Sequence, residues 1–472
     1  MSALHELQAH ALSDAYRRRE LSPVEVTQAV IEHIARWEPR LCALWAYEPE
    51  AALSMAQASQ ARWQRGQPLS PLDGVPVTIK ENIATRGVAV PLGTAATPLV
   101  PAADDAPPAA RLREAGCVLL AKTTMPDYGM LSSGLSSFHK LARNPWDLTK
   151  NPGGSSAGAG AAAAAGYGPL HLGTDIGGSI RLPATWCGVV GLKPSNGRVP
   201  IKPPYIGRVA GPMTRSATDA ALMMSVLSRP DWRDATSLPA ADLDWRALDI
   251  DVKGLRIGLQ LDAGWGLPTD PEVGAVVEDA ARRFEAAGAF VAPLRPFLTA
   301  GMAEGIDRFW RVRSWLDISA LPPERAARVL PFIRDWVAPG ASISAAELFA
   351  GFSQIAALRD ATVAATQGFD FVLGPVSPVP SFPAGWAMPS NDAARAMHHI
   401  GFTLPFNMSE QPAISVPAGQ TRTGLPIGLQ IAGRRHDDLG VLRLARAFEQ
   451  LRAPLRPWPM PAPLPQERRQ AR

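Results

Sequence analysis

The chain has 472 residues, 46% of them hydrophobic and 19% charged, with a formal net charge of +4. That balance leaves ample material for a core, and its basic residues are mostly Arg spread along the chain, which leaves no footprint for nucleic acid. Three cysteines, Cys42, Cys117 and Cys187, are too few for a disulfide framework and fit a reducing compartment, and no Cys or His spacing suggests a metal. No uncharged run approaches the ~20 apolar residues of a membrane helix. The N-terminus lacks the apolar core of a signal peptide, so a cytoplasmic location is expected.

In chain order, Ser22-Pro23-Val24-Glu25 is a capping box with Pro at the first helical position, and Val26, Val30, Ile34 and Trp37 follow at helical spacing. A second helix is predicted over 49–65, stopping at Gly66. Val75, Val77 and Ile79 then alternate with Pro76, Thr78 and Lys80, the pattern of a half-buried strand with Pro76 at its start or on an edge. Lys80 therefore projects from the face opposite the aliphatics. The chain has only seven lysines against forty arginines. Where Arg is the default cation, a retained Lys hints at an amine that must lose its proton.

A helix over 105–116 and a buried strand over 118–121 lead into a long loop from Met125 to Pro152. There the composition changes. Gly153-Gly154-Ser155 and Gly177-Gly178-Ser179 bracket an Ala run, 157–165, that suits a tightly packed helix. Paired glycines let a substrate approach the main chain closely, and a hydroxyl follows each pair. No Lys-Ser or Lys-Thr follows the glycines, so a phosphate loop is excluded, and Asp175-Ile176 between glycines is foreign to a flexible linker. Ser137-Phe138-His139-Lys140 has a Ser-x-x-Lys spacing, but without its companion motifs.

Further on, a helix is expected over 213–227 and a surface excursion over 229–250. A strand over 255–259 and a capped helix from Thr269 follow, then a helical block to about 367 carrying Phe309, Trp310, Trp315, Phe332 and Trp336. These aromatics read as core first and pocket walls second. His398 and His399 read as a surface pair. Buried strands at 371–374, 413–416 and 427–432, a closing helix at 437–451 and an extended tail after Ala453 complete the chain.

Gly-Gly-Ser-Ser-Ala-Gly at 153–158 and Gly-Thr-Asp-Ile-Gly-Gly-Ser-Ile-Arg-Leu-Pro at 173–183 resemble the amidase signature family of serine hydrolases. Gly-Val-Pro-Val-Thr-Ile-Lys-Glu-Asn from Gly74 and Gly-Leu-Pro-Ile-Gly-Leu-Gln from Gly424 extend the resemblance over roughly 20–450. It implies an α/β fold, a large mixed, mostly parallel twisted sheet covered by helices on both faces. Four stretches follow: N-terminal helices at 1–70, the signature core at 71–228, an excursion and substrate-pocket block at 229–370, and closing strands and helix at 371–472.

The resemblance also implies the chemistry, cleavage of a carboxamide through an acyl-enzyme, with esterase activity as a side reaction. Ser179 matches the nucleophile, Ser155 the bridging serine after a cis peptide bond, and Lys80 the terminal base. Ile176, Gly177, Gly178 and Ser179 would supply the oxyanion hole, Gly129 and Met130 would line the substrate, and Thr174, Asp175 and Arg181 would hold the loop. No cofactor or metal is called for. The partners expected are a small-molecule amide substrate, no nucleic acid, no membrane and, at most, a second copy in a homodimer. The alternative inside the family is the subunit that releases ammonia from glutamine within a tRNA-linked amidotransferase.

Overall fold

Apolar runs along the whole chain pair into one 11-stranded sheet in a computed structural model that describes residues 3–461. The strands are β1 (Leu44–Trp45), β2 (Pro76–Lys80), β3 (Val118–Thr123), β4 (Leu170–Asp175), β5 (Val190–Lys193), β6 (Val209–Thr214), β7 (Arg256–Leu259), β8 (Phe290–Pro293), β9 (Phe371–Pro375), β10 (Ala413–Gln420) and β11 (Pro426–Gly433). Their spatial order is β1-β3-β2-β4-β6-β5-β10-β11-β9-β7-β8. The mixed, helix-covered sheet is as expected, but parallel pairing does not dominate it. Only β3-β2-β4 and β9-β7-β8 are joined in parallel. The strands between them pair antiparallel, and of these pairs β10 and β11 are joined by a short turn that requires it.

β2 begins at Pro76 but lies inside the sheet, flanked by β3 and β4, and all five of its residues are buried. The helix Ala157–Ala165 packs against these strands so closely that only small residues fit. A Cβ on Gly158 would stand 2.2 Å from the Ala43 carbonyl oxygen and 2.5 Å from the Thr124 nitrogen. The Ala/Gly composition is thus a requirement of proximity, and it brings the two glycine-serine turns to the C-terminal ends of β2 and β4.

The helix expected over 213–227 is shorter. Met213 lies in β6, paired with both His171 and Gly191, and the helix runs Ala217–Leu227 after Ser216, whose side chain accepts from the Asp219 N–H. Sheet pairing on both sides outweighs the helical propensity of Met. The helical block is built mainly on three helices, Ala300–Ser319, Pro331–Val337 and Ala345–Thr366, with the single turn Pro323–Ala326 between the first two. Its first and third helices meet through glycines, and a Cβ on Gly351 would lie 2.5 Å from the Gly305 oxygen.

His399 is buried, with Nε2 2.7 Å from Ser132 Oγ, so the expected surface pair is corrected. The segment is a run of turns, which aims the two rings differently from helical neighbours. The expected tail lies outside the described residues from 462 on, and before that Trp458 packs under the Arg215 guanidinium at 4.4 Å.

Candidate active site

Lys80 ends β2, Ser155 precedes the Ala-rich helix, and Ser179 sits in the turn after β4. Lys80 is fully buried, and its Nζ lies 2.8 Å from Ser155 Oγ and 3.0 Å from Thr174 Oγ1. The Gly154–Ser155 peptide bond is cis. Ser179 is half-buried and faces a cavity of about 500 Å³ that Ser155 and Thr174 also line. No hydrogen bond joins Ser155 Oγ to Ser179 Oγ among the described residues. The two turns are coupled through the backbone instead, the Ser156 N–H donating to the Ser179 carbonyl at 3.1 Å. A larger cleft of about 610 Å³, against residues 240–246, contains none of the three.

The electrostatics favour an uncharged amine. Burial, and then the Arg208 guanidinium, push the Lys80 pKa well below its ordinary value, against the opposing pull of Asp175 and Glu81. Histidine offers no substitute. His171 is buried, its Nδ1 2.8 Å from Thr78 Oγ1 and its Nε2 3.0 Å from the Gly168 carbonyl, and burial lowers its pKa to about 3. The Ser-x-x-Lys spacing is likewise idle: Ser137 Oγ donates to Asp127 at 2.6 Å while Lys140 is exposed.

Asp175 and Arg181 pair in full burial, Nη2 to Oδ1 at 3.0 Å and Nε to Oδ2 at 3.1 Å. Asp175 also accepts from the N–H groups of Gly178 (2.8 Å) and Ile180 (3.1 Å) and from Asn407 Nδ2 (2.9 Å). Burial alone would raise its pKa, but Arg181 and these donors hold the carboxyl far below the usual range. The loop is therefore wired to a fixed anion. Of the four N–H groups expected to hold an oxyanion, that of Gly178 is already spent on Asp175.

Around Ser179 the cavity has two sides. Tyr128, Gly129, Met130 and Ile176 border both. One side is a compartment of about 100 Å³ walled by Trp310, Trp336, Met397 and Ile400. The other carries Asn82, Arg208 and Asp317, and Arg313 borders both. Of the helical-block aromatics, Trp310 and Trp336 reach the site, whereas Phe309 packs edge-on against Phe352. Sequence reading missed Arg208, Arg313 and Asn407. They arrive from segments that carry no motif, and only the isolated Arg in Tyr-Ile-Gly-Arg-Val could have drawn notice.

The family model described as Amidase matches residues 25–442. A glutamyl-tRNA(Gln) amidotransferase subunit from Myxococcus xanthus (strain DK1622) is 36% identical, covering 91% of this chain and 94% of that protein. The protein of the same name from Geobacter metallireducens is 34% identical, covering 95% and 98%. Among solved structures, a bacterial aryl acylamidase of the amidase signature enzymes is similar with a TM-score of 0.88 and 31% identity, over 95% of this chain and 97% of that one. The curated relatives overturn one expectation, that of a small-molecule amide substrate without nucleic acid. Their names make each of them one component of an assembly whose reaction involves a tRNA.

Proposed function

The chain belongs to the amidase signature family, and on that premise we propose that it cleaves a carboxamide C–N bond by acyl transfer to Ser179. One observation carries the reading: a buried lysine, its pKa lowered, 2.8 Å from the serine hydroxyl that shares a cavity with Ser179. Neutral Lys80 takes the Ser155 proton as Ser155 takes that of Ser179, and Ser179 Oγ attacks the carbonyl carbon. The resulting oxyanion is held by the N–H groups of Ile176, Gly177 and Ser179. On collapse the C–N bond breaks and Ser155 returns a proton to the departing nitrogen, itself resupplied by Lys80. Water then repeats the attack on the acyl-Ser179 ester and releases the acid.

The curated relatives favour one setting for this chemistry, the ammonia-releasing component of a tRNA-linked amidotransferase, with glutamine as the amide and partner chains to receive the ammonia. A self-sufficient amidase is the second reading. It is supported by the compartment walled by Trp310 and Trp336, whose ring faces suit an acyl or aryl group, and by the likeness to an aryl acylamidase. We place the protein in the cytoplasm, supported by the free thiols of Cys42, Cys117 and Cys187. Assaying the purified chain on glutamine and on an aryl amide, alone and with amidotransferase partner chains, separates the settings. Glutamine turnover that needs partners supports the first, and aryl amide turnover by the chain alone supports the second. Absence of both would remove the proposal.

A further inference from the structure

Arg313 borders both sides of the cavity, and the larger side adds Arg208 together with the carboxylates of Asp175 and Asp317. Arg313 is already engaged, its guanidinium 4.6 Å over the Tyr205 ring and 3.8 Å from the Asp317 carboxylate. Arg208 is not. Among the described residues its one acceptor is the Pro203 carbonyl, at 3.4 Å from Nη1, and no carboxylate pairs with it. Asp175, which also lines this side, is consumed by Arg181, Asn407 and the turn. A guanidinium offers five N–H donors in a planar fork, and here four are left without a partner among the described residues. Holding such a cation partly out of water costs free energy, more so beside a second guanidinium. Burial and Arg313 lower the Arg208 pKa to about 10, as expected for a cation that no anion compensates.

The geometry points to the missing anion as part of the substrate. We propose that Arg208 is a specificity-determining residue that clasps a carboxylate borne by the amide whose C–N bond lies at Ser179. This rests on Ser179 being the nucleophile. The planar fork of Arg208 matches a carboxylate in two parallel hydrogen bonds, whereas the compartment walled by Trp310 and Trp336 receives the uncharged part of the molecule.

The test uses isosteric pairs differing only in charge. N-succinyl-4-nitroanilide is set against its 4-oxopentanoyl counterpart, and 4-butyramidobenzoate against 4-butyramidoacetophenone, so that the carboxylate lies on the acyl side in one pair and on the amine side in the other. The full-length protein is expected to prefer the carboxylate in at least one pair by kcat/KM. Arg208→Gln is expected to reduce that preference by about 10–100-fold, with part restored in Arg208→Lys. Wild-type protein without a preference, or a preference that survives Arg208→Gln, overturns the proposal.

Binding of the same pairs to Ser179→Ala protein, and to Ser179→Ala/Arg208→Gln, separates this inference from the catalytic one. A carboxylate preference in affinity that vanishes with Arg208 upholds it even where turnover fails and the nucleophile reading falls. Equal affinity for both members, or no binding of either, sinks it.

Discussion

Lys80 and Lys122 lie on neighbouring parallel strands, one register step apart, and share their burial but not their company. Lys122 pairs with Ile79 in the ladder between β2 and β3, and Lys80 with Thr123. Both are buried, and burial lowers the pKa of both, that of Lys122 to about 7. Lys122 Nζ meets the Ile83 carbonyl and Thr85 Oγ1. A carbonyl oxygen only accepts, so Lys122 must present an N–H to it, and the Thr85 hydroxyl donates to the same carbonyl at 3.3 Å. Lys80 meets two hydroxyls, Ser155 and Thr174, either of which can turn its hydrogen toward the nitrogen lone pair. Only Lys80 reaches a residue of the cavity, through Ser155. Burial makes an amine easy to deprotonate; its neighbours decide whether the free lone pair has a proton to take.

The strongest way to break this contrast is to remove its end point. Ser179→Ala is expected to lower kcat/KM by at least about 10⁴-fold with the fold intact by circular dichroism, since Ser179 is half-buried and its hydroxyl makes no hydrogen bond among the described residues. Lys80→Met is next, a loss of about 10³-fold, whereas Lys122→Met is expected to leave kcat/KM near the wild-type value. Equal losses in the two lysine variants would erase the distinction. Gly178→Ala probes the turn itself. Gly178 has φ +126°, and a Cβ there would lie 2.7 Å from Leu182 Cδ1 and 2.8 Å from Thr403 Oγ1. The displaced loop is expected to cost about 100-fold in kcat, with a smaller effect on KM.

The smallest effect lies on stability. Lys122 and Lys193 both have pKa values lowered to about 7, so the unfolded chain binds more protons between there and the ordinary lysine value of about 10.4. Stability should therefore rise with pH across that window. Lys122→Met removes one share of the rise, which urea midpoints at about pH 6 and about pH 9 would register. A slope unchanged by Lys122→Met would mean that this lysine stays charged in its buried site.

Local pattern made the reacting groups legible: Lys80, Ser155 and Ser179 sit in short motifs, and the glycines beside them announce close packing. Strand alternation showed β2 but not its burial on both faces, because the covering helices are specified elsewhere. The spent Gly178 N–H was hidden, since Asp175 is three residues away but its aim depends on Arg181 and Asn407, the latter 232 positions from Asp175. Arg208 and Arg313 were hidden for the same reason. Their meeting at one cavity is a product of the tertiary fold, and neither stands in a pattern that could mark it. His399 misled because adjacent polar residues suggest a surface, while the turn that carries them buries one against Ser132.

The claim on which the account turns is that Lys80 is an uncharged amine in the resting protein. With only seven lysines in the chain, ¹⁵N labelling of their side chains makes each Nζ resonance assignable by substitution. At mildly alkaline pH, a resonance that disappears in Lys80→Met should have the shift of a neutral amine and should gain a proton only on acidification. A Lys80 resonance that stays an ammonium throughout, with neutral signals arising from Lys122 and Lys193 alone, would contradict the account.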